Sequence, residues 1–152
     1  MQDEKLRTSL GNATVRLFRL VNRVHNRALD ACGVSAEQAH ILSVLWTVGP
    51  TTMGQLQRRV ALSSGTLTGA IDRMEAQALV RRAPSPDDHR AVVLEPRVAP
   101  KQRAQIEAAL DDTERRVWSG LSATERKELL RLMDKAIAAL EPVATAKGAA
   151  HL

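Results

Sequence analysis

Ser63, Ser64, Thr66 and Thr68 place four hydroxyl side chains within six residues, and Asp72 and Arg73 follow on the same segment. A hydroxyl is short and both donates and accepts, so such a cluster on a helix can come close to base edges and phosphate oxygens. The backbone N–H groups at the start of that helix favour phosphate as well. Downstream, Arg81, Arg82, Asp88, His89 and Arg90 supply guanidinium and imidazole groups that suit a phosphate backbone or an adjacent minor groove. Each group has a plainer reading. The hydroxyls could be a cap and a solvated helix face, Asp72 could merely orient Arg73 or Arg82, and Arg81 and Arg82 read equally as strand-edge charges. Catalysis is excluded: Ser85, Asp88 and His89 are near neighbours in a turn-rich stretch with no nucleophile elbow. There is no His-Glu-x-x-His, phosphate-binding glycine loop or dinucleotide fingerprint, so no cofactor or metal is expected.

A helix and a hairpin must hold these groups. Between Ser64 and Gln77 the stripe Leu67, Ile71, Met74 and Ala78 marks a helix capped by Ser63. Only Ala61-Leu62 separate it from a shorter helix, opened by the capping box Thr52-Met53-Gly54-Gln55 and burying Leu56 and Val60. A similar box, Ser35-Ala36-Glu37-Gln38, opens a helix that runs to about Val48 before Gly49-Pro50. Leu79–Arg82 and Ala91–Leu94 are β-prone and flank a Pro- and Asp-rich stretch, which predicts a hairpin with a projecting tip. Two short helices, a tight turn and a basic hairpin form the order of a winged helix-turn-helix.

Long amphipathic helices flank this centre. Leu6, Leu10, Ala13, Leu17, Leu20, Val21, Val24 and Ala28 share one face of the first, and Arg7, Arg16, Arg19, Arg23 and Arg27 line the other. Beyond Pro96 and Pro100, Ile106, Leu110, Val117 and Trp118 belong to a helix that Gly120 interrupts. The box Ser122-Ala123-Thr124-Glu125 then opens a last helix, carrying Leu129, Leu130, Leu132, Met133, Ile137 and Leu140 and expected to stop before Pro142. The terminal stripes exceed what the small centre can cover, and pairing with a second copy would bury them.

The chain has 152 residues, within the range of one domain, and aromatics are only 2%, which leaves aliphatic side chains to build a helical core. Net charge is +5, and it is spread: six Lys/Arg against four Asp/Glu in 1–50, seven against five in 51–97, and nine against eight in 98–152. With no basic tail, binding to a polyanion must come from folded geometry. The single Cys32 allows neither an intramolecular disulfide nor, alone, a structural zinc site. No apolar run is long enough to span a bilayer and the N-terminus lacks a signal-peptide core, so a cytoplasmic protein with no membrane partner is expected.

The chain resembles the MarR family of bacterial transcriptional regulators from about Val15 to Leu140. Gly33-Val34-Ser35-Ala36-Glu37-Gln38 is like that family's turn into its second helix. Ser64-Gly65-Thr66-Leu67-Thr68, running to Ile71-Asp72-Arg73-Met74-Glu75, is like its recognition helix, and Leu79-Val80-Arg81-Arg82 with Asp88-His89-Arg90 is like its wing. The resemblance implies a mainly α fold with a β-hairpin wing and N- and C-terminal dimerisation helices. It divides one domain, 1–152, into a DNA-binding region at 33–97 and dimerisation helices at 5–32 and 100–141; the Ala-rich end, 143–152, has little to anchor it and is expected to fray. It implies that Asp88 holds Arg90, that Arg90 enters the minor groove, and that a homodimer binds double-stranded DNA at half-sites ~34 Å apart. Repression relieved by a small effector is the expected mode. An anionic aromatic would suit Arg16, Arg19, His25 and His40, with Trp46 as a wall.

Ser64–Thr68 is closest to the peroxide-sensing, OhrR-like branch, which makes thiol sensing through Cys32 an alternative. The count back from Gly33 nevertheless puts Gly11 at that branch's cysteine position, and the chain has no tyrosine to bond a thiolate. Cys32 then reads as a small buried filler. A winged-helix module for nonspecific DNA or protein binding is the other alternative. Where the family usually has glycine, this chain has Ala61 and Ala78. A left-handed turn there would cost ~1 kcal/mol, so turns of another shape are expected. Pro96-Arg97 and Pro100 replace the family's pattern after the wing, so the second strand is expected to end early.

Overall fold

Each helix start that positions the centre of the molecule rests on a side-chain cap. In a computed structural model, which describes residues 9–145, the elements run α1 (Leu10–Leu29), a single 3-10 turn (Asp30–Cys32), α2 (Ala36–Val48), α3 (Met53–Val60), α4 (Ser64–Ala76), β1 (Val80–Pro84), β2 (Val92–Pro96), α5 (Pro100–Val117) and α6 (Ala123–Thr145). Ser35 and Gln38 form a reciprocal capping box on α2, and Thr52 and Gln55 form another on α3. Ser63 accepts the Thr66 N–H at 3.2 Å to start α4, and Ser122 and Glu125 exchange hydrogen bonds at the start of α6. Each cap satisfies an N–H that the helix itself leaves open.

The chain divides into two units, residues 1–113 and 114–152. In the first, Leu29, Ile41, Leu42, Leu45, Leu56, Leu67, Ile71, Met74, Leu94 and Ile106 form one buried cluster drawn from α1 to α5 and the hairpin. Asn26 of α1 accepts the Ala36 N–H at 2.8 Å, and Gln102 of α5 donates to the Cys32 carbonyl at 3.0 Å, which ties both helices to the entry of α2. In the second unit no residue of α6 whose burial is described, 123–144, is buried. Its Leu130, Leu132, Met133, Ile137, Leu140 and Val143 are exposed, as are Leu10, Leu17, Phe18, Leu20 and Val24 of α1 in the first.

β1 and β2 pair antiparallel, with Arg81 opposite Glu95 and Arg82 opposite Leu94. Thr51, just before α3, exchanges backbone hydrogen bonds with Leu94 at 3.3 and 2.8 Å and so fastens the hairpin to the helix-turn-helix.

Four expectations change. α1 begins at Leu10 because Ser9 caps it by accepting the Asn12 N–H at 3.3 Å; residues 5–8 of the expected helix lie outside the described residues. β2 does not end early but runs to Pro96, where the ring's fixed φ suits the end of an edge strand. α6 passes through Pro142 to Thr145, since a proline φ of about −65° is helical and only one hydrogen bond is forfeited near the end. Of the expected frayed tail, 143–145 are therefore helical, and 146–152 lie outside the described residues. Lastly, the turns keep their left-handed shape, with φ 53° at Ala61 and 56° at Ala78. The Ala61 N–H bonds the Gln57 carbonyl, while Ala78 and Leu79 close α4 on Glu75 and Met74, a Schellman termination. Relief of the Cβ clash outweighs glycine's added chain entropy, so Ala78→Gly is expected to raise unfolding stability by about 0.5 kcal/mol in urea denaturation.

Candidate nucleic-acid interface

α4 buries Leu67, Ala70, Ile71 and Met74 and turns its remaining arc outward. One edge of that arc carries Ser64, Thr68, Asp72 and Glu75, which recur at helical spacing; the other carries Thr66 and Arg73. Ser63, Ser64, Thr66 and Thr68 are all exposed, so the structure brings the predicted hydroxyl cluster together at the N-terminal end of the helix. Ser63 and Thr66 hydroxyls lie 2.7 Å apart, and the Thr68 hydroxyl donates to the Ser64 carbonyl at 2.8 Å, which leaves its lone pairs outward. Gly65 lies between them, and a Cβ there would meet nothing within 4 Å. The outer surface of α4 is therefore low and open to a close-approaching ligand.

The wing projects beside it. Asp88, His89 and Arg90 are exposed at the tip, closed by Ser85 N–H to Ala91 carbonyl at 2.8 Å and Ala91 N–H to Asp88 carbonyl at 2.9 Å. Asp88 Oδ1 accepts the backbone N–H of Arg90 at 3.0 Å. The carboxylate thus holds Arg90 through its backbone, and the Arg90 residue is exposed.

The arginines sort by partner. Arg81 pairs across the strands with Glu95 at 2.6 Å. Arg82 bonds Asp72 at 2.8 Å and also Glu75, and both contacts hold its proton above the usual guanidinium range, the Asp72 hydrogen bond foremost. Arg73 stands 3.8 Å from Glu37 of α2, and Gln38 donates to Gln77 at 2.7 Å, so α4 is braced against α2. Among the described residues Arg58, Arg59 and Arg90 make no ion pair. Arg58 and Arg59, in the last turn of α3, were missed by sequence reasoning, although two adjacent cations at the end of the first helix of the motif were a legible signal.

The proposed effector residues divide. His25 and His40 line a cavity of about 240 Å³ with Phe18, Val21, Asn22, Ala36, Ser43 and Leu110, between α1, α2 and α5. Arg16, Arg19 and Trp46 do not line it; Trp46 lies under the Arg103 guanidinium at 4.8 Å. Cys32 is half-buried against the core at the far end of α1. Among the described residues no group of three or more potential ligands could hold a metal, and no helix is long and apolar enough to cross a membrane.

An exposed hydroxyl-bearing helix braced beside a basic hairpin is the apparatus of a winged helix-turn-helix DNA-binding protein. The profile of the MarR family matches residues 34–92, which run from the entry of α2 into β2. The chain is 31% identical over 141 residues to the HTH-type transcriptional regulator MgrA of Staphylococcus aureus, covering 91% of each chain. It belongs to the MarR family of DNA-binding transcriptional regulators, which are not enzymes. The fold is similar to that of a cysteine-to-serine mutant of E. coli MarR complexed with operator DNA: TM-score 0.73, 23% identity, 84% of this chain and 93% of that one. It is also similar to BpsR of Bordetella bronchiseptica, whose DNA binding is regulated by 6-hydroxynicotinic acid: TM-score 0.73, 21% identity, 85% of this chain and 93% of that one.

Because Arg58 has no carboxylate partner, Arg58→Ala is expected to weaken binding to all duplexes alike and to reduce the slope of log K against log[salt] by about 0.9, the signature of one lost phosphate contact. A salt titration by fluorescence anisotropy checks this.

Proposed function

We propose that the protein is a homodimeric, sequence-specific regulator that represses by occupying a pseudo-palindromic operator and is released by a small ligand. The observation that carries the reading is the outward arc of α4, with Ser63, Ser64, Thr66 and Thr68 presented at its N-terminal end beside a wing whose tip arginine is unpaired. In this reading the hydroxyls and Arg73 address the major groove and nearby phosphates. Arg90, with His89 beside it and its backbone held by Asp88, enters the adjacent minor groove. Arg81, already paired with Glu95, contributes at most its remaining guanidinium N–H groups.

A second copy supplies the other half-site. The exposed apolar residues of α1, and separately those of α6, support this, since large apolar side chains recurring along a helix are rarely left to water. For the effector, the cavity lined by His25 and His40 suits a small anionic aromatic: Phe18, Val21 and Leu110 offer apolar walls and the two imidazoles offer donors. BpsR, regulated by an aromatic acid, makes that ligand class reasonable here.

The test is fluorescence anisotropy of the full chain on the DNA just upstream of its own gene against scrambled DNA at ~150 mM salt, where nonspecific binding lies at about 10⁻⁴–10⁻⁶ M. Preferential binding, reversed by aromatic acids, is expected; equal weak binding to both duplexes favours the nonspecific module. Arg90→Ala is expected to cost about 1–3 kcal/mol of operator affinity without unfolding the chain. Ile137→Asp, which puts a charge on the apolar face of α6, is expected to yield monomers by sedimentation and to abolish tight operator binding.

A further inference from the structure

Arg82 lies on the wing, but its guanidinium is turned toward protein. Nη2 is 2.8 Å from Asp72 Oδ1, Nη1 bonds Glu75 Oε2, and the Arg82 backbone N–H donates to Glu75 Oε1 at 3.2 Å. Both carboxylates belong to α4 and fall on the edge that carries Ser64 and Thr68. Two carboxylates on a helix that enters a phosphate-lined groove repel their own target, so they call for a compensating role. Holding a guanidinium is one.

The mechanics support it. The chain passes from α4 to β1 through Gln77, Ala78 and Leu79, with Ala78 in a left-handed conformation. Thr51 fastens β2 through Leu94, and Val80 anchors the root of β1 in the core; beyond that root, the side-chain hydrogen bonds that tie β1 to α4 among the described residues are those of Arg82 with Asp72 and Glu75. Side chain and backbone of one residue grip two acidic groups three residues apart on α4, and three bonds that diverge in this way restrain rotation as well as separation.

The geometry points to Arg82 as a positioning residue of the DNA interface: it clasps the wing to the recognition helix through Asp72 and Glu75. It thereby sets the angle at which Ser64, Thr68 and Arg90 meet one duplex, and it is not itself a phosphate contact. This inference rests on the DNA-binding reading above and deepens it.

Arg82→Lys, Arg82→Ala and Glu75→Gln distinguish the roles in the full chain, titrated on the upstream duplex and on its scrambled control at several salt concentrations. Lysine keeps the charge but cannot fork between two carboxylates. Glu75→Gln removes a negative charge beside DNA, so simple electrostatics predicts tighter binding. The clasp predicts the opposite: Arg82→Lys and Glu75→Gln each weaken binding to the preferred duplex about fivefold, leave scrambled binding near wild type, and keep the salt slope. In the free protein, ¹⁵N relaxation is expected to give lower order parameters for amides 82–91 in both variants, with Leu42 and Ile71 unchanged.

The proposal is overturned if Arg82→Lys binds like wild type while Arg82→Ala lowers the slope by about 0.9, which is a phosphate contact. Tighter binding by Glu75→Gln, or a hairpin as rigid as wild type in both variants, overturns it equally. A wild-type chain with no preference between the duplexes defeats the regulator reading, and the relaxation data still decide the clasp.

Discussion

The interface depends on the burial of one stripe of α4. Leu67, Ala70, Ile71 and Met74 enter the core together, each almost completely removed from water. Sinking these four fixes the rotation of the helix about its own axis, and the rotation decides what faces out. A helix turned by a quarter would bury Asp72 or Thr66 and leave Met74 in water, at a cost of several kcal/mol in desolvated polar groups and lost apolar burial. The hydroxyl arc is therefore a consequence of core packing.

Rotation alone does not place a helix against a second element. On one side, α4 is braced to α2 by Arg73 with Glu37 and by Gln38 with Gln77; on the other it is tied to β1 through Arg82. Thr51 adds a third restraint, joining the hairpin to the residue before the α3 cap. Its hydroxyl donates to Gln55 Oε1, the same atom that accepts the Thr52 N–H, so one glutamine serves both the capping box and the wing root. Exposed ion pairs contribute little stability individually. In the proposed reading their value lies in geometry, because the helix and the wing would have to reach one rigid duplex at the same time.

How far this was legible in the sequence follows from the range of each interaction. The caps at Ser35, Thr52, Ser63 and Ser122 were legible because each needs only a hydroxyl and the N–H three residues on, with Gln or Glu at that position completing the box in all but the Ser63 cap. The α4 stripe was legible because periodicity encodes it. Thr51 opposite Leu94 was not, since one isolated bridge between residues far apart in the chain leaves no local pattern. The partner of Arg82 was equally hidden: Asp72, Glu75, Asp88 and Glu95 are all near enough in sequence, and only the hairpin's register selects among them. Ala61 and Ala78 mislead for another reason. Composition argues against left-handed turns there, but the hydrogen bonds that close α3 and α4 hold both residues in that shape against the cost of their Cβ atoms.

The same reasoning gives the terminal helices their meaning. A solitary surface helix stays soluble by presenting polar residues on every face that does not pack. α6 does not do so: residues 123–144 are all exposed or half-exposed, yet Leu130, Leu132, Met133, Ile137 and Leu140 recur along it at spacings that fall on or near one face. Helix propensity does not require that pattern, because Glu, Lys and Gln would serve as well at exposed positions. Exposed apolar periodicity of this kind is the pattern that the proposed pairing with a second copy would bury. In the dimeric reading proposed above, a second copy would also place a second recognition helix beside the first, so the apolar periodicity of α6 would bear on operator recognition as directly as the hydroxyls of α4.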